Sequence, residues 1–353
     1  MSKSIKINGR SIGDGHPVYI IAEVGANHNG DVNLAKKMIE KAKEAGVDCV
    51  KFQTYSTDNF CADKEKIFEY YSQGKKVLER EYDMFKRLEF DESEWKEIIN
   101  HCNKMKMPFI TTVQDPKDLK MLLKIGSLKA IKVGSDDFDH FLNLRLYAET
   151  GLPLIISKGM ANLGEVDEVI NELGKYTNNL AILHCVSLYP SEPKHLNIKQ
   201  VSTLKNLYPE IVWGFSDHSQ GTLASIISVG MGASIIEKHF TLDHDFEGPD
   251  HWFSMDFSEM KELVEGVRFA EVALGNGKVA LSESEVKSKS IMRRRVVARD
   301  NLKMGSILNE DNVSFMRSSE GCYISDWKII KGSRLNNEKL INEGINLSDI
   351  NFN

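Results

Sequence analysis

The feature that most restricts this fold is an alternation. From Val18 onward, short β-rich apolar runs recur with amphipathic stretches between them. Eight such runs can be counted: Val18–Val24, Cys49–Gln53, Pro108–Thr112, Ala130–Val133, Pro153–Ser157, Leu180–Val186, Ile211–Phe215 and Ser234–Phe240. The intervening stretches carry apolar residues at helical spacing. In Val32–Ala45, Leu34, Met38, Ala42 and Ala45 fall on one face, with Asp31 placed as an N-cap and Gly46 just past the end. Glu92–Met105, Lys117–Lys124, Gly164–Leu173, Ile198–Leu207, Gly221–Gly230 and Glu259–Leu274 read the same way. Repeated strand-then-helix units imply a parallel sheet, because parallel neighbours need a long crossover, usually a helix. Eight units in roughly 255 residues match a (β/α)8 TIM barrel in count and size. An open doubly wound sheet has no reason to stop at eight, and no GxGxxG follows the first run.

The flanks differ from this pattern. Residues 4–20 alternate apolar and polar around Asn8-Gly9, which predicts a small hairpin ahead of the barrel. The barrel is expected over 1–275, hairpin included. Residues 276–292 are polar with alternating charges and read as a linker or extended arm. Residues 293–353 resume with short strands and turns (VVARD, MGSIL, NVSFMR) and form a compact β-rich module close to the lower size limit for independent stability.

Composition removes several classes of function. A net charge of −6 argues against general nucleic-acid binding. No run approaches the ~18 apolar residues needed to cross a bilayer, and MSKSIKINGR lacks the apolar core of a signal peptide. Cys49, Cys61, Cys102, Cys185 and Cys322 are odd in number and scattered, without a CxxC, so reduced thiols and a cytoplasmic location are expected.

In a barrel of this kind the active site forms at the C-terminal ends of the strands. Those ends hold Glu23, Asn27 and His28; Lys51 and Gln53; Thr112; Lys132 and Ser135; Ser157 and Lys158; His184, Ser187 and Tyr189; Ser216, Asp217 and His218; Glu237, Lys238 and His239. Lys51 and Lys132 lie inside apolar runs, where a buried ammonium needs a partner. That partner is either Glu23 or Glu237, or a bound phosphate or carboxylate shared with Thr112, Ser135 and Ser157. His218 and His239 end two runs expected to be neighbouring strands. Together they offer two nitrogen ligands to a cation with open positions, for which Mn2+ is best suited and Co2+, Zn2+ or Mg2+ are substitutes. His28, His184, His244 and His251 are expected in packing or substrate contacts. Asp250 lies on the turn in HDFEGPDHWFSM, where Trp252 or Phe253 would cover the site.

Taken together and in order, AEVGANHNG, VKFQTY, IKVGSDD, ISKGM, LHCVSLYP, GFSDHS, IEKHFT and GPDHWFSM closely resemble the N-acetylneuraminate (sialic acid) synthase family. The resemblance covers essentially the whole chain, with residues 293–353 similar to the antifreeze-like (SAF) domain that follows the barrel in that family. It implies condensation of phosphoenolpyruvate with an N-acetylated amino-sugar aldehyde to give a nine-carbon 2-keto acid and phosphate. It also implies a divalent metal, typically Mn2+, and a domain-swapped homodimer whose small domain reaches the partner's active site. Carried onto matching positions, it assigns Lys51, Thr112, Lys132, Ser135 and Ser157 to phosphoenolpyruvate and His218 and His239 to the metal. Glu23, with the two histidines, is assigned to catalysis, and Ser187 and Ser216 fall at substrate-binding positions. Gln53, Asp137, Tyr189 and Asp250 are assigned to the acceptor sugar, joined by Arg317 from the small domain.

Departures from the family pattern fall mainly on the acceptor side. Lys158 replaces Thr in Ser-Thr-Gly-Met, Ser187 replaces Asn before Tyr-Pro, Asp137 replaces Glu, and Arg317 is followed by Ser318-Ser319 instead of Pro-Gly. A different acceptor is therefore expected, such as the diacetamido hexoses that lead to legionaminic or pseudaminic acid. Two other readings compete. A 3-deoxy-octulosonate or heptulosonate synthase would share the barrel but generally lacks the C-terminal module. A non-catalytic sugar- or ice-binding protein would explain the tail but leave both lysines and both histidines idle.

Overall fold

The computed structural model describes residues 4–352, which divide into two compact units on either side of the Gly275–Asn276 boundary. The first unit is a closed parallel barrel of eight strands. These are β1 (Tyr19–Glu23), β2 (Cys49–Thr54), β3 (Phe109–Val113), β4 (Leu128–Val133), β5 (Leu154–Ser157), β6 (Leu180–Cys185), β7 (Val212–Asp217) and β8 (Ile235–His239). The helices that follow them are α1 (Val32–Ala45), α2 (Glu92–Met105), α3 (Pro116–Ile125), α4 (Phe141–Glu149), α5 (Leu163–Leu173), α6 (Lys199–Leu207), α7 (Leu223–Gly230) and α8 (Phe257–Leu274). The eightfold alternation thus gives the expected (β/α)8 barrel.

Side chains alternate across each strand, and that alternation builds the interior in layers. Tyr19, Ile21, Cys49, Ile110, Ala130, Ile155, Ala181, Leu183, Val212 and Ile235 form one buried apolar cluster with Ile5, Ile7 and Ile12. Those three isoleucines come from the N-terminal hairpin of Ser4–Ile7 and Arg10–Gly13, which closes this end of the barrel. Asn8 and Gly9 both have positive φ (49° and 81°), the conformation required by a two-residue hairpin turn. The alternate residues, including Ile20, Phe52, Ile131, Ile182, Phe215 and Ile236, belong to the larger core beneath the helices.

Local caps agree with the boundaries. Asp31 accepts from the backbone N–H groups of Asn33 and Leu34, and Gly46 closes α1 in the left-handed region (φ 90°). Asp256 with Glu259 forms a capping box that starts α8 two residues before the expected Glu259.

Three regions depart from the sequence-based expectation. Helix α4 is required by the eightfold pattern, but its residues carry no helical signal of the kind seen in the other seven stretches. Between β2 and α2 the chain inserts an antiparallel hairpin, Ile67–Ser72 with Lys75–Arg80, followed by a helix, Glu81–Leu88. The stretch expected as a linker contains a helix, Glu283–Met292, with none of its residues buried.

The second unit has its own small core of Val296, Ala298, Leu302, Leu308, Val313, Cys322, Ile330, Leu335, Ile345 and Ile350. Its main ladder pairs Arg294–Ala298 antiparallel with Val313–Arg317, and MGSIL contributes a turn with a single bridge from Ile307 to Arg334. All five cysteines are free and buried. No described helix is long and apolar enough to cross a membrane.

Candidate active site

Two residues beyond the apolar layers, the same alternation turns charged and hydroxyl side chains into the barrel. Ladder partners place Glu23 beside Lys51, Gln53 beside Thr112, Thr112 beside Lys132, Ser216 beside Glu237, and His239 back beside Glu23. Glu23, Lys51, Thr112, Lys132, Ser157, Ser216 and Glu237 are all buried.

Lys51 is paired. Its Nζ lies 2.7 Å from Glu23 Oε2 and 3.6 Å from Glu237 Oε1, and it donates to Thr112 Oγ1 at 3.1 Å. Burial opposes its charge, but the two carboxylates outweigh it and hold the ammonium above the ordinary lysine range. Lys132 is different. It donates to Ser157 Oγ and to the Val133 carbonyl, both at 2.7 Å, yet among the described residues it has no salt bridge. Burial pushes its pKa down, with Glu237 countering in part.

The carboxylates divide in the opposite sense. Burial, aided by Glu237, raises Glu23 above the ordinary carboxylate range even with Lys51 and Gln53 in contact. Glu237 is buried as deeply, but Lys132, Lys51 and His218 overcome the desolvation and hold it low. One Glu237 oxygen accepts from Ser216 Oγ at 3.1 Å, and the other, buried, has no hydrogen-bond partner. Sequence reading placed Glu237 at a strand end and as a candidate lysine partner but gave it no role in substrate binding or catalysis; its position two residues before His239 puts it on the same inward-facing register.

The two histidines converge as expected, with ring centroids 5.5 Å apart. His218 Nδ1 is 2.9 Å from the Val186 carbonyl; donation there leaves Nε2 as the basic nitrogen. His239 Nδ1 is buried without a hydrogen bond and lies 3.6 Å from Asp250 Oδ2. An orphaned ring nitrogen near a carboxylate, with a second imidazole 5.5 Å away between centroids, is a donor set that would suit a divalent cation. Burial raises the Asp250 carboxyl to about 6, with His218 and Lys51 opposing.

Aromatic groups wall the mouth. Tyr189 stacks on His218 (4.1 Å between centroids), Phe253 lies 5.3 Å from His239, and Trp252 reaches Tyr71 of the inserted hairpin. The hairpin is fixed there because Ser72 Oγ accepts from Gly248 N–H and Gln73 donates to the Asp245 carbonyl. Gly159 is required by close approach: a Cβ at that position would collide with the hydroxyls of Ser135 and Ser187. Ser135 Oγ also accepts from Gly159 N–H at 2.9 Å.

Other positions stand apart from the ring. Among the described residues no hydrogen bond joins the Asp137 side chain to another site residue; its neighbour Asp136 accepts from Gln114. Arg317 is exposed at the end of its strand in the second unit, opposite Arg294. Lys158 points away from the ring and donates to Gln200 Oε1 at 2.7 Å. His28 stacks on Phe90, His184 bonds the Leu196 carbonyl, and His251 bonds Thr241 and Asn29, so these three serve packing. His244 lies by the α8 capping box, 3.1 Å from Glu259.

Comparison with known proteins points the same way. The NeuB family model matches residues 38–279. N,N'-diacetyllegionaminic acid synthase of Legionella pneumophila is 37% identical over 341 residues, 95% of each chain. Pseudaminic acid synthase of Campylobacter jejuni is 32% identical over 347 residues, 94% of this chain and 96% of the relative. Among solved structures, the N-acetylneuraminic acid (sialic acid) synthetase of Leptospira borgpetersenii superposes with a TM-score of 0.74 at 32% identity, covering 83% of this chain and 98% of that one. A family match over most of the barrel and synthases aligned nearly end to end lead to one conclusion: the chain is an enzyme of the NeuB family.

Proposed function

We propose that this enzyme condenses phosphoenolpyruvate with the open-chain aldehyde of an N-acetylated amino sugar, releasing phosphate and forming a nine-carbon 2-keto acid. The observation that carries this reading is Lys132, a buried ammonium without a carboxylate partner, on the same rim as Lys51. A permanently lone buried cation is costly, whereas a phosphate or carboxylate group of the substrate would satisfy it. Thr112, Ser157 and Ser135 supply neutral donors around that anion.

His218 and His239 would hold a divalent cation, Mn2+ being the best match, which supplies Lewis-acid polarisation of the aldehyde oxygen when bound. The residues of the chain do the rest. Lys51 and Lys132 fix the phosphoenolpyruvate so that its methylene carbon faces the aldehyde carbon, turning an encounter of two solutes into a step within one site. The new carbon–carbon bond turns the aldehyde oxygen into an alkoxide, which is protonated by the proton Glu23 removes from water, and leaves an electron-poor carbon bearing the phosphate, to which that water adds. The water's second proton departs with phosphate as the ketone forms. Glu23, raised toward neutrality and held by Gln53 and Lys51, takes a proton from that water, and phosphate leaves by carbon–oxygen cleavage.

The acceptor is read as a diacetamido hexose, in keeping with relatives named for legionaminic and pseudaminic acid, with N-acetylmannosamine as the simpler member of the same class. Asp250, Tyr189, Gln53 and Asp137 are the acceptor residues in this reading, and the wall from Tyr189 to Trp252 offers apolar surface to acetamido methyl groups. Residues 293–353 are read as the antifreeze-like domain of a domain-swapped homodimer in which Arg317 serves the partner's sugar. The five free thiols accord with a cytoplasmic enzyme.

Phosphate release is the test, with phosphoenolpyruvate, Mn2+ and a panel of N-acetylmannosamine and diacetamido hexoses. Release with a diacetamido hexose well above N-acetylmannosamine is expected. Absence of release with every member of the panel would overturn the reading.

A further inference from the structure

Behind the two histidines, on the face of the wall that looks toward α7, lies a second polar cluster that substrate binding does not explain. Asp217 and Lys238 are ladder partners on β7 and β8, their charged atoms are 2.9 Å apart, and their side chains are 0% and 1% exposed. Asp217 Oδ1 accepts from the Ser219 backbone N–H at 2.8 Å and from its hydroxyl at 2.7 Å. Oδ2 accepts from Ser225 Oγ of α7 at 2.6 Å, and Lys238 also donates to the Ser219 carbonyl.

A buried ion pair carries a desolvation cost that an apolar pair of similar volume avoids, so its presence calls for a reason beyond stability. Its position supplies one. Asp217 and Ser219 flank His218, and Lys238 immediately precedes His239. Asp217 with Lys238 is also the last rung between β7 and β8; past it His218 leaves the strand, while His239 is paired on its other side with Glu23 of β1. Backbone pairing therefore stops one residue short of the two imidazoles. The charged network continues the tie across that gap, gripping the residue on each side of His218 from the residue next to His239.

We infer that Asp217 and Lys238, supported by Ser219 and Ser225, are positioning residues that set the separation of His218 and His239 for a shared cation. This rests on the cation reading above. Mn2+ uptake is measured on the full chain by the electron paramagnetic resonance of free Mn2+, with circular dichroism and a thermal melt on the same samples. Wild-type protein that takes up no Mn2+ overturns the cation reading and this inference with it.

Given wild-type uptake, Lys238→Met and Asp217→Asn are expected to bind Mn2+ about 10–100-fold more weakly while their dichroism stays wild-type, the range seen when groups behind metal ligands are changed. Wild-type Mn2+ affinity in either folded variant would overturn the inference and leave the cation reading standing. Ser225→Ala strands no charge and decides the matter should both charge variants fail to fold. It is expected to weaken Mn2+ binding a few-fold while its dichroism stays wild-type, and unchanged affinity there overturns the inference.

Discussion

Lys51 Nζ sits 2.7 Å from a carboxylate oxygen of Glu23, and both side chains are buried inside the barrel mouth. The pair is held by strand register, since the two residues face each other across the β1–β2 ladder. Burial with the nearby Glu237 raises the Glu23 pKa against the pull of Lys51, which suits a group that must both lose and accept a proton near neutrality. Glu23→Gln keeps the hydrogen-bonding shape and removes the titration. It is expected to lower kcat roughly 100-fold or more, the usual scale of general acid–base catalysis. KM for phosphoenolpyruvate should not rise, because the variant removes a negative charge near the bound anion. The wild-type pH–rate profile should show a rising limb above the ordinary carboxylate range that the variant lacks. A profile shared by both proteins would remove Glu23 from proton transfer.

Lys132→Met separates substrate binding from folding. The ammonium has no salt bridge among the described residues, so replacing it with an apolar chain of similar length removes a desolvation cost in the empty protein, but it also removes a charge that helps hold Glu237 ionised. The two effects oppose each other, and the variant is expected to melt near the wild-type temperature. In the complex the same change deletes a buried charge partner of the anion, a loss of about 2–5 kcal/mol, or roughly 30-fold or more in Kd for phosphoenolpyruvate. Thermal melts with and without phosphoenolpyruvate give both numbers. A variant that is less stable alone yet binds normally would make Lys132 a structural residue.

What the sequence made legible follows from where a local signal decides the outcome. Lysine and glutamate inside apolar runs, as at Lys51, Lys132 and Glu23, stand out because nothing but a partner or ligand excuses them. Which of two adjacent charges faces inward is set by strand register alone, which is how Glu237 joined the ring and Lys238 went to the outer face. Helix α4 was hidden because FLNLRLYAE spaces its leucines at every second residue, with Leu142 and Leu146 exposed and only Leu144, Tyr147 and Ala148 buried among its apolar residues beyond Phe141. The inserted hairpin was hidden for another reason. Its placement depends on Gly248 and Asp245, more than 170 residues further along the chain, and no local pattern encodes such contacts.

Removing His218 tests the metal assignment. Dialysis against a chelator is expected to abolish phosphate release by the wild type, and Mn2+ should restore it. His218→Ala should remain inactive at every Mn2+ concentration while keeping a wild-type dichroism spectrum, because its ring lies at the mouth and not in the apolar layers. Full activity of this variant in the presence of chelator would defeat the assignment.

Asp118 gives a pH dependence of stability independent of the site. It lies in the first turn of α3, buried, with Oδ2 lacking a hydrogen-bond partner. Burial raises its carboxyl to about 7, helped by Asp115 and Glu89 and opposed by Lys117. The unfolded chain should titrate this group near 3.9, so between roughly pH 4 and 7 the folded state binds the proton more tightly. Its contribution to stability is therefore whole below the unfolded pKa and is lost as pH rises through the folded one, levelling off above it. Asp118→Asn removes the titration without removing the bulk. Urea midpoints for the two proteins should accordingly diverge in favour of the variant as pH rises from about 4.5 to 8, starting from near equality or a wild-type advantage at the acid end. A difference that stays constant across that range would show that Asp118 is solvated in the folded protein and titrates as it does in the unfolded chain.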